Sequence, residues 1–219
     1  MAIRTCREFE PEWLDLLGKI HEGFLILPVG FLSPSFHGDV ESEAWGRIAA
    51  WLDRKEPGSV LFAAFGSEVK FTTEQIEEIA SGLENSGVPF VWALREGSPP
   101  DWFPERIGER DCGGGMGAAG LTAGVALVVL PMQFEQGLNA RNLWEKGLGV
   151  EVFRDREDGS FTGEEIARKL RMVMLEEEGE GLKARARAWM EKFGSEEVQD
   201  RYVEDLAVFM WENKLRQDA

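Results

Sequence analysis

The chain has 219 residues and 43% hydrophobic content, enough for one large domain, or one plus a small appendage, with a core rather than a disordered tail. A formal net charge of −16 is repelled by phosphate backbones and anionic lipid surfaces, so nucleic acid and membrane are discounted as partners; beyond that, the charge reads as a solvated surface. Two separated cysteines, Cys6 and Cys112, make no disulfide framework, no apolar run approaches the roughly 20 residues of a membrane span, and residues 1–10 hold no signal-peptide core, so a cytoplasmic protein is expected.

The first clear helical signal follows Ser42, where Trp45, Ile48, Ala49 and Leu52 stripe one face before Pro57-Gly58 stops the helix. The nearly continuous apolar run from Ser59 to Ser67 reads as a strand buried on both faces. Thr72 and Gln75 spell a capping box, with Ile76, Ile79, Ala80 and Leu83 on the buried stripe and Gly87 as the stop. Val88 to Leu94 reads as a second strand. Strand, helix, strand in this order predicts a parallel pair with a right-handed crossover.

Ser98-Pro99-Pro100 then opens an irregular stretch that ends in a glycine-rich segment, Gly113 to Gly124. Val125 to Leu130 reads as another buried strand, residues 138 to 146 as a helix, and Gly149 to Phe153 as a short strand. Thr162 and Glu165 spell a second capping box. The acidic run Glu176-Glu177-Glu178 reads as a solvated helix end, and residues 181–193 and 196–214 as two further amphipathic helices. Trp45 and Trp92 sit at spacings that favour core packing over ligand stacking.

Gly115-Met116-Gly117-Ala118-Ala119-Gly120 matches a dinucleotide-binding pattern, which would make the chain a nicotinamide-dependent oxidoreductase. That pattern needs a strand directly before it, and Pro104 to Asp111 is not one. A biased, glycine-rich connector accounts for the match better. The two histidines, His21 and His37, belong to no metal-ligand pattern. Two segments carry more. Ser67 stands at the carboxyl end of the first buried strand, where open parallel sheets bind ligands, and its hydroxyl can donate to a phosphate oxygen. Glu135-Gln136, five residues past the strand ending at Leu130, pairs a carboxylate with an amide that can bracket adjacent sugar hydroxyls. Read without context, Ser67 is equally a turn serine, and for Glu135-Gln136 a solvent loop is the favoured reading.

Leu130 to Arg141 resembles the closing part of the donor signature of plant UDP-glycosyltransferases. Gly149-Val150-Glu151-Val152 and Asp158-Gly159-Ser160-Phe161-Thr162 resemble the family's chain just beyond that signature, and Pro57 to Ser67 resembles the first strand of their donor domain. Arg4 to Glu10 and Pro28-Val29-Gly30 resemble the link that leads into that domain. The likeness covers nearly the whole chain and points to the branch that extends sugar chains on glycosides. It implies an α/β fold, a Rossmann-like parallel sheet with flanking helices that forms one half of a two-domain GT-B enzyme. The implied organisation is a lead-in segment over 1–40, a UDP-sugar donor domain over 41–193 and a carboxyl-terminal helix over 194–219. The implied reaction is hexosyl transfer from a UDP-sugar to a hydroxyl of a small plant metabolite or its glycoside, with no metal or other cofactor. Ser67 would touch the diphosphate; Glu135, where the family usually has aspartate, and Gln136 would hold the sugar.

Two departures accompany the resemblance. The family's histidine base and its aspartate lie in an acceptor domain that this sequence does not show, so no catalytic residue is assigned. Between 104 and 124 the tryptophan that stacks on uracil, the histidine that meets the diphosphate and the glutamate that binds ribose are not recognisable, and two strands are expected to be missing with them. Each lost stacking or charged contact would cost about 1–3 kcal/mol of donor binding. An inactive or strongly impaired donor half is therefore expected. The alternative is a non-catalytic module that self-associates, or pairs with another chain, through exposed apolar surface.

Overall fold

A computed structural model describes residues 1–32, 43–65, 69–93, 101, 124–133 and 135–217. In chain order the elements are β1 (Ala2–Ile3), α1 (Pro11–Ile20), β2 (Leu27–Pro28), α2 (Glu43–Leu52), β3 (Leu61–Ala64), α3 (Thr73–Asn85) and β4 (Phe90–Ala93). They continue with β5 (Leu127–Val129), α4 (Gln136–Glu145), β6 (Gly149–Glu151), α5 (Gly163–Leu175), α6 (Glu177–Phe193) and α7 (Glu196–Gln217). The described strands form three parallel pairs, β1–β2, β3–β4 and β5–β6. Helix α3 supplies the crossover of the second pair and α4 that of the third, as the strand–helix–strand order predicts.

Two compact units emerge: Met1–Ser35 with Ala118–Val125 and Ala186–Ala219, and Phe36–Gly117 with Ala126–Arg185. In the first unit, aromatic rings make the core. Phe193, fully buried, lies 5.6 Å from Phe9, 5.2 Å from Phe31 and 5.6 Å from Trp189, mostly edge to face. Helix α7 is fastened to the early residues by two side chains. Tyr202 Oη donates to Glu8 Oε2 (2.6 Å) and accepts from the Arg7 N–H (2.9 Å). Gln199 Oε1 accepts from the Phe31 N–H (2.7 Å) while its Nε2 donates to the Phe193 carbonyl. Gly30, at φ 75°, is needed there: a Cβ would stand 2.7 Å from Gln199 Oε1. Burial pushes the Cys6 thiol up to about 12, against a lowering hydrogen bond from Phe9. Burial, then the bond to Glu8, pushes Tyr202 up to about 12 as well.

The second unit packs α3 and α5 over one face of the β3–β4 pair. Leu61 is in register with Phe90 and Ala63 with Trp92, and this face meets Ile76, Ile79, Leu83, Ile166 and Leu170. The expectation of burial on both faces fails here. Phe62, one residue out of phase, is 49% exposed, because the helices cover only the face that alternate residues share. Trp92 is buried, in keeping with a core role. Helices α3 and α5 approach closely because both present glycine. A Cβ on Gly163 would meet Glu78 O at 2.7 Å and Gly82 N at 2.9 Å; one on Gly82 would meet the Ile166 Cβ at 2.6 Å. The Gly163 N–H donates to Glu78 Oε2, which ties the two helices at that point.

The first capping box forms in full: Thr72 Oγ1 accepts from the Gln75 N–H and Gln75 Oε1 from the Thr72 N–H. The second forms by half. Thr162 Oγ1 accepts from the Glu165 N–H, but Glu165 turns its carboxylate to Arg168 (2.8 and 2.9 Å) and does not bond back to Thr162. Burial raises the Glu165 pKa, yet bonds from Arg168 and the Phe153 N–H outweigh this and hold it below its ordinary value. The acidic run opens α6, with Glu177, Glu178 and Glu180 in its first turn, where carboxylates meet the positive end of the helix dipole. Helix α1 precedes the first clear sequence signal; Pro11 sits at its start, where its missing N–H costs nothing.

Candidate functional site

The residues singled out for the sugar stand where the segment after β5 enters α4. Glu135 is the N-cap of α4 and makes no side-chain capping bond. Its carboxylate is exposed and without a hydrogen-bond partner among the described residues. Gln136 is half-buried and folds back: its Oε1 accepts from the Met132 N–H (2.8 Å) and the Gln133 N–H (3.3 Å). The carbonyl oxygen of the amide is thus committed to the loop, and the Nε2 group is the part that can serve a ligand.

Sequence reasoning did not anticipate Arg154, in the segment after β6. Its Nη1 donates to the carbonyls of Pro131 (2.9 Å) and Met132 (3.1 Å), and its Nε to the carbonyl of Gly159 (2.7 Å). These bonds join two loops that both leave the carboxyl ends of strands. The Asp155–Ser160 turn is closed by Asp155 N–H to Ser160 O (2.7 Å) and Gly159 N–H to Asp155 O (3.0 Å). The exposed Asp158 carboxyl is held below its ordinary value by the Ser160 backbone N–H and then by its hydroxyl.

Ser67, the residue expected at the diphosphate, lies outside the described residues, as do His37, Cys112 and the Gly115–Gly120 pattern. Phe65, two residues before Ser67, and Met132, three before Glu135, pack against the same core cluster, so β3 and β5 lead into one region of this unit. A half-open pocket of about 90 Å³ there is lined only by apolar residues, among them Ala63, Phe65, Val128 and Leu130. It offers no side-chain hydrogen bond and does not suit a sugar. His21 stacks edge-on against Phe24, at 6.4 Å. Among the described residues no cluster of His, Cys, Asp or Glu could hold a metal ion, and no helix is long and apolar enough to cross a membrane.

No family model matches the sequence. Individual relatives do. The chain is 37% identical to UDP-glycosyltransferase 91C1 of Arabidopsis thaliana, over 95% of its own length and 51% of the relative's. It is 37% identical to UDP-glycosyltransferase 91D1 of Stevia rebaudiana (97% and 50%) and 38% identical to soyasaponin III rhamnosyltransferase of Glycine max (93% and 50%). Among solved structures, Phytolacca americana UGT2 complexed with UDP-2fluoro-glucose and pterostilbene superposes with a TM-score of 0.76 at 24% identity, covering 96% of this chain and 53% of that one. Os79 from O. sativa in complex with UDP gives 0.78 at 22%, covering 94% and 54%. The chain spans about half the length of the relatives it matches. Along nearly all of its own length, it is a homologue of plant UDP-glycosyltransferases with the fold of one Rossmann-like half of their GT-B architecture.

Proposed function

We propose that this chain is the UDP-sugar-binding half of a plant UDP-glycosyltransferase that transfers a hexose to a hydroxyl of a small metabolite or its glycoside. The observation that carries the reading is the exposed, uncapped Glu135 carboxylate beside the Gln136 amide, on a loop braced at the carboxyl edge of a parallel pair. An ionised carboxylate can accept from two vicinal hydroxyls, and the Gln136 Nε2 group can bond a neighbouring one. Ser67 donates to the diphosphate in this reading, and no metal takes part. Transfer requires a base to remove the acceptor proton, and none is assigned in this chain. The chain alone therefore binds the donor weakly and turns none over.

Saturation-transfer NMR with UDP-glucose, run beside a turnover assay, tests this. The expected result is weak, saturable contact that falls about 10- to 100-fold in Glu135→Ala, as loss of a charge-assisted bond worth about 1.5–3 kcal/mol requires. Unchanged binding in that variant removes the sugar site. Robust turnover by the chain alone removes the claim that it needs another half. A second reading, a module that pairs through apolar surface, is favoured by Trp13, Ile20, Phe24 and Leu25, each more than half exposed. Light scattering that shows a clean monomer at high concentration disposes of it.

A further inference from the structure

We infer that Arg154 is the positioning residue of the sugar-holding loop, an inference that rests on the assignment of Glu135 and Gln136 proposed above. Pro131, Met132 and Gln133 lie in no helix or strand that could hold them. Their backbone groups are instead taken up in sequence by two side chains. Arg154 Nη1 donates to the carbonyls of Pro131 and Met132; Gln136 Oε1 accepts from the N–H groups of Met132 and Gln133. Residues 131–133 are thereby gripped from both sides, acceptors by one residue and donors by the other. All three Arg154 bonds to described residues go to backbone carbonyls, which marks it as a brace and not a ligand.

The brace is itself anchored. Arg154 Nε bonds Gly159 O, and Gly159, at φ 73°, keeps open the space where a Cβ would stand 2.8 Å from Arg154 Nη2. The planar guanidinium can hold Gly159 and the two loop carbonyls at once because its donors diverge in a fixed fork. A lysine ammonium, a single compact point on a flexible stem, cannot span them. The position of Glu135 on the β5 side therefore depends on the turn beyond β6.

Hydrogen exchange at Met132 and Gln133, with binding of UDP-glucose and of UDP, tests the inference in Arg154→Lys and in Gly159→Ala, which crowds the guanidinium without deleting it. The expected result is exchange at least about tenfold faster at those two amides, with α3 amides unchanged as the folding control. Binding of UDP-glucose falls about tenfold while binding of UDP, which lacks the sugar, stays the same. A merely structural role would weaken both ligands together, and that result overturns the inference. Unchanged exchange in Arg154→Lys overturns it too. So does faster exchange with full UDP-glucose affinity while Glu135→Ala weakens binding as expected above. If UDP-glucose does not bind the unaltered chain, the sugar-site reading fails on its own, and the exchange data alone decide whether Arg154 braces the loop.

Discussion

Gly163→Ala should destabilise the second unit although alanine is the better helix former. The new Cβ would stand 2.7 Å from Glu78 O, 2.9 Å from Gly82 N and 2.9 Å from Ser81 Cβ. Two of those atoms are backbone, so no side chain can swing aside, and α3 must withdraw from α5. Overpacking of this kind costs about 1–3 kcal/mol. Withdrawal also stretches the Gly163 N–H bond to Glu78, worth about 1.5–3 kcal/mol when the acceptor is charged. The propensity gain is at most about 1 kcal/mol. The net is a loss of about 2–4 kcal/mol, near 4–16 °C in the melting temperature of a chain this size. Gly46→Ala is the control: it lies in α2 with nothing within 4 Å of its added Cβ, and should gain about 0.5–1 kcal/mol. Urea and thermal melts tracked by circular dichroism measure both. A Gly163→Ala protein as stable as the unaltered chain would refute the close helix contact, and equal effects in the two variants would refute the reasoning from contact distances.

Three other outcomes are expected from the same structure. Thr72→Ala removes one arm of the capping box of α3 and should cost about 1 kcal/mol in urea denaturation; no change would mean that the box is decorative. Phe193→Ala empties the centre of the aromatic cluster and should cost about 3–5 kcal/mol, read from tryptophan fluorescence; a loss under about 1 kcal/mol would contradict its burial. Cys6 and Tyr202 both have pKa values raised to about 12 in the folded state, from 9.0 and 10.0, so folding favours their neutral forms. That stability is complete below pH 9 and is lost as pH climbs toward 12. The urea midpoint of the first unit should fall over this window, and a Cys6→Ala/Tyr202→Phe variant should show a shallower fall; identical slopes would count against the assignment.

Where structure depends on neighbours in sequence, the sequence was readable. Thr72, Gln75 and the stripe from Ile76 to Leu83 define α3 within a dozen residues, and the helix forms as they predict. The strands β3 to β6 also come from short local runs; β3 begins two residues inside its run, and β4 to β6 are up to two residues shorter at an end. The half-formed box at Thr162 shows the limit: Arg168 and Lys169, at i+3 and i+4 from Glu165, draw its carboxylate away from the cap. Helix α1 was missed although Trp13, Leu16, Leu17 and Ile20 stand at i, i+3, i+4 and i+7; in the structure Trp13, Leu16 and Ile20 of that stripe are exposed, and Leu14, beside it, is the buried residue. Glu135 and Gln136 were singled out because the carboxyl edge of a parallel pair is a ligand position by topology; their sugar role is the reading proposed above. Arg154 was not, because its bonds reach back more than 20 residues and leave no trace in local spacing.

The aromatic cluster of the first unit has a consequence for biosynthesis. Phe9 and Phe31 leave the ribosome before Trp189 and Phe193, which pack on them and are added some 160 residues later. At about 5–20 residues per second the early rings wait roughly 8–32 s for their partners. Throughout that interval the nascent polypeptide carries uncovered aromatic surface, the kind of target that holding chaperones bind.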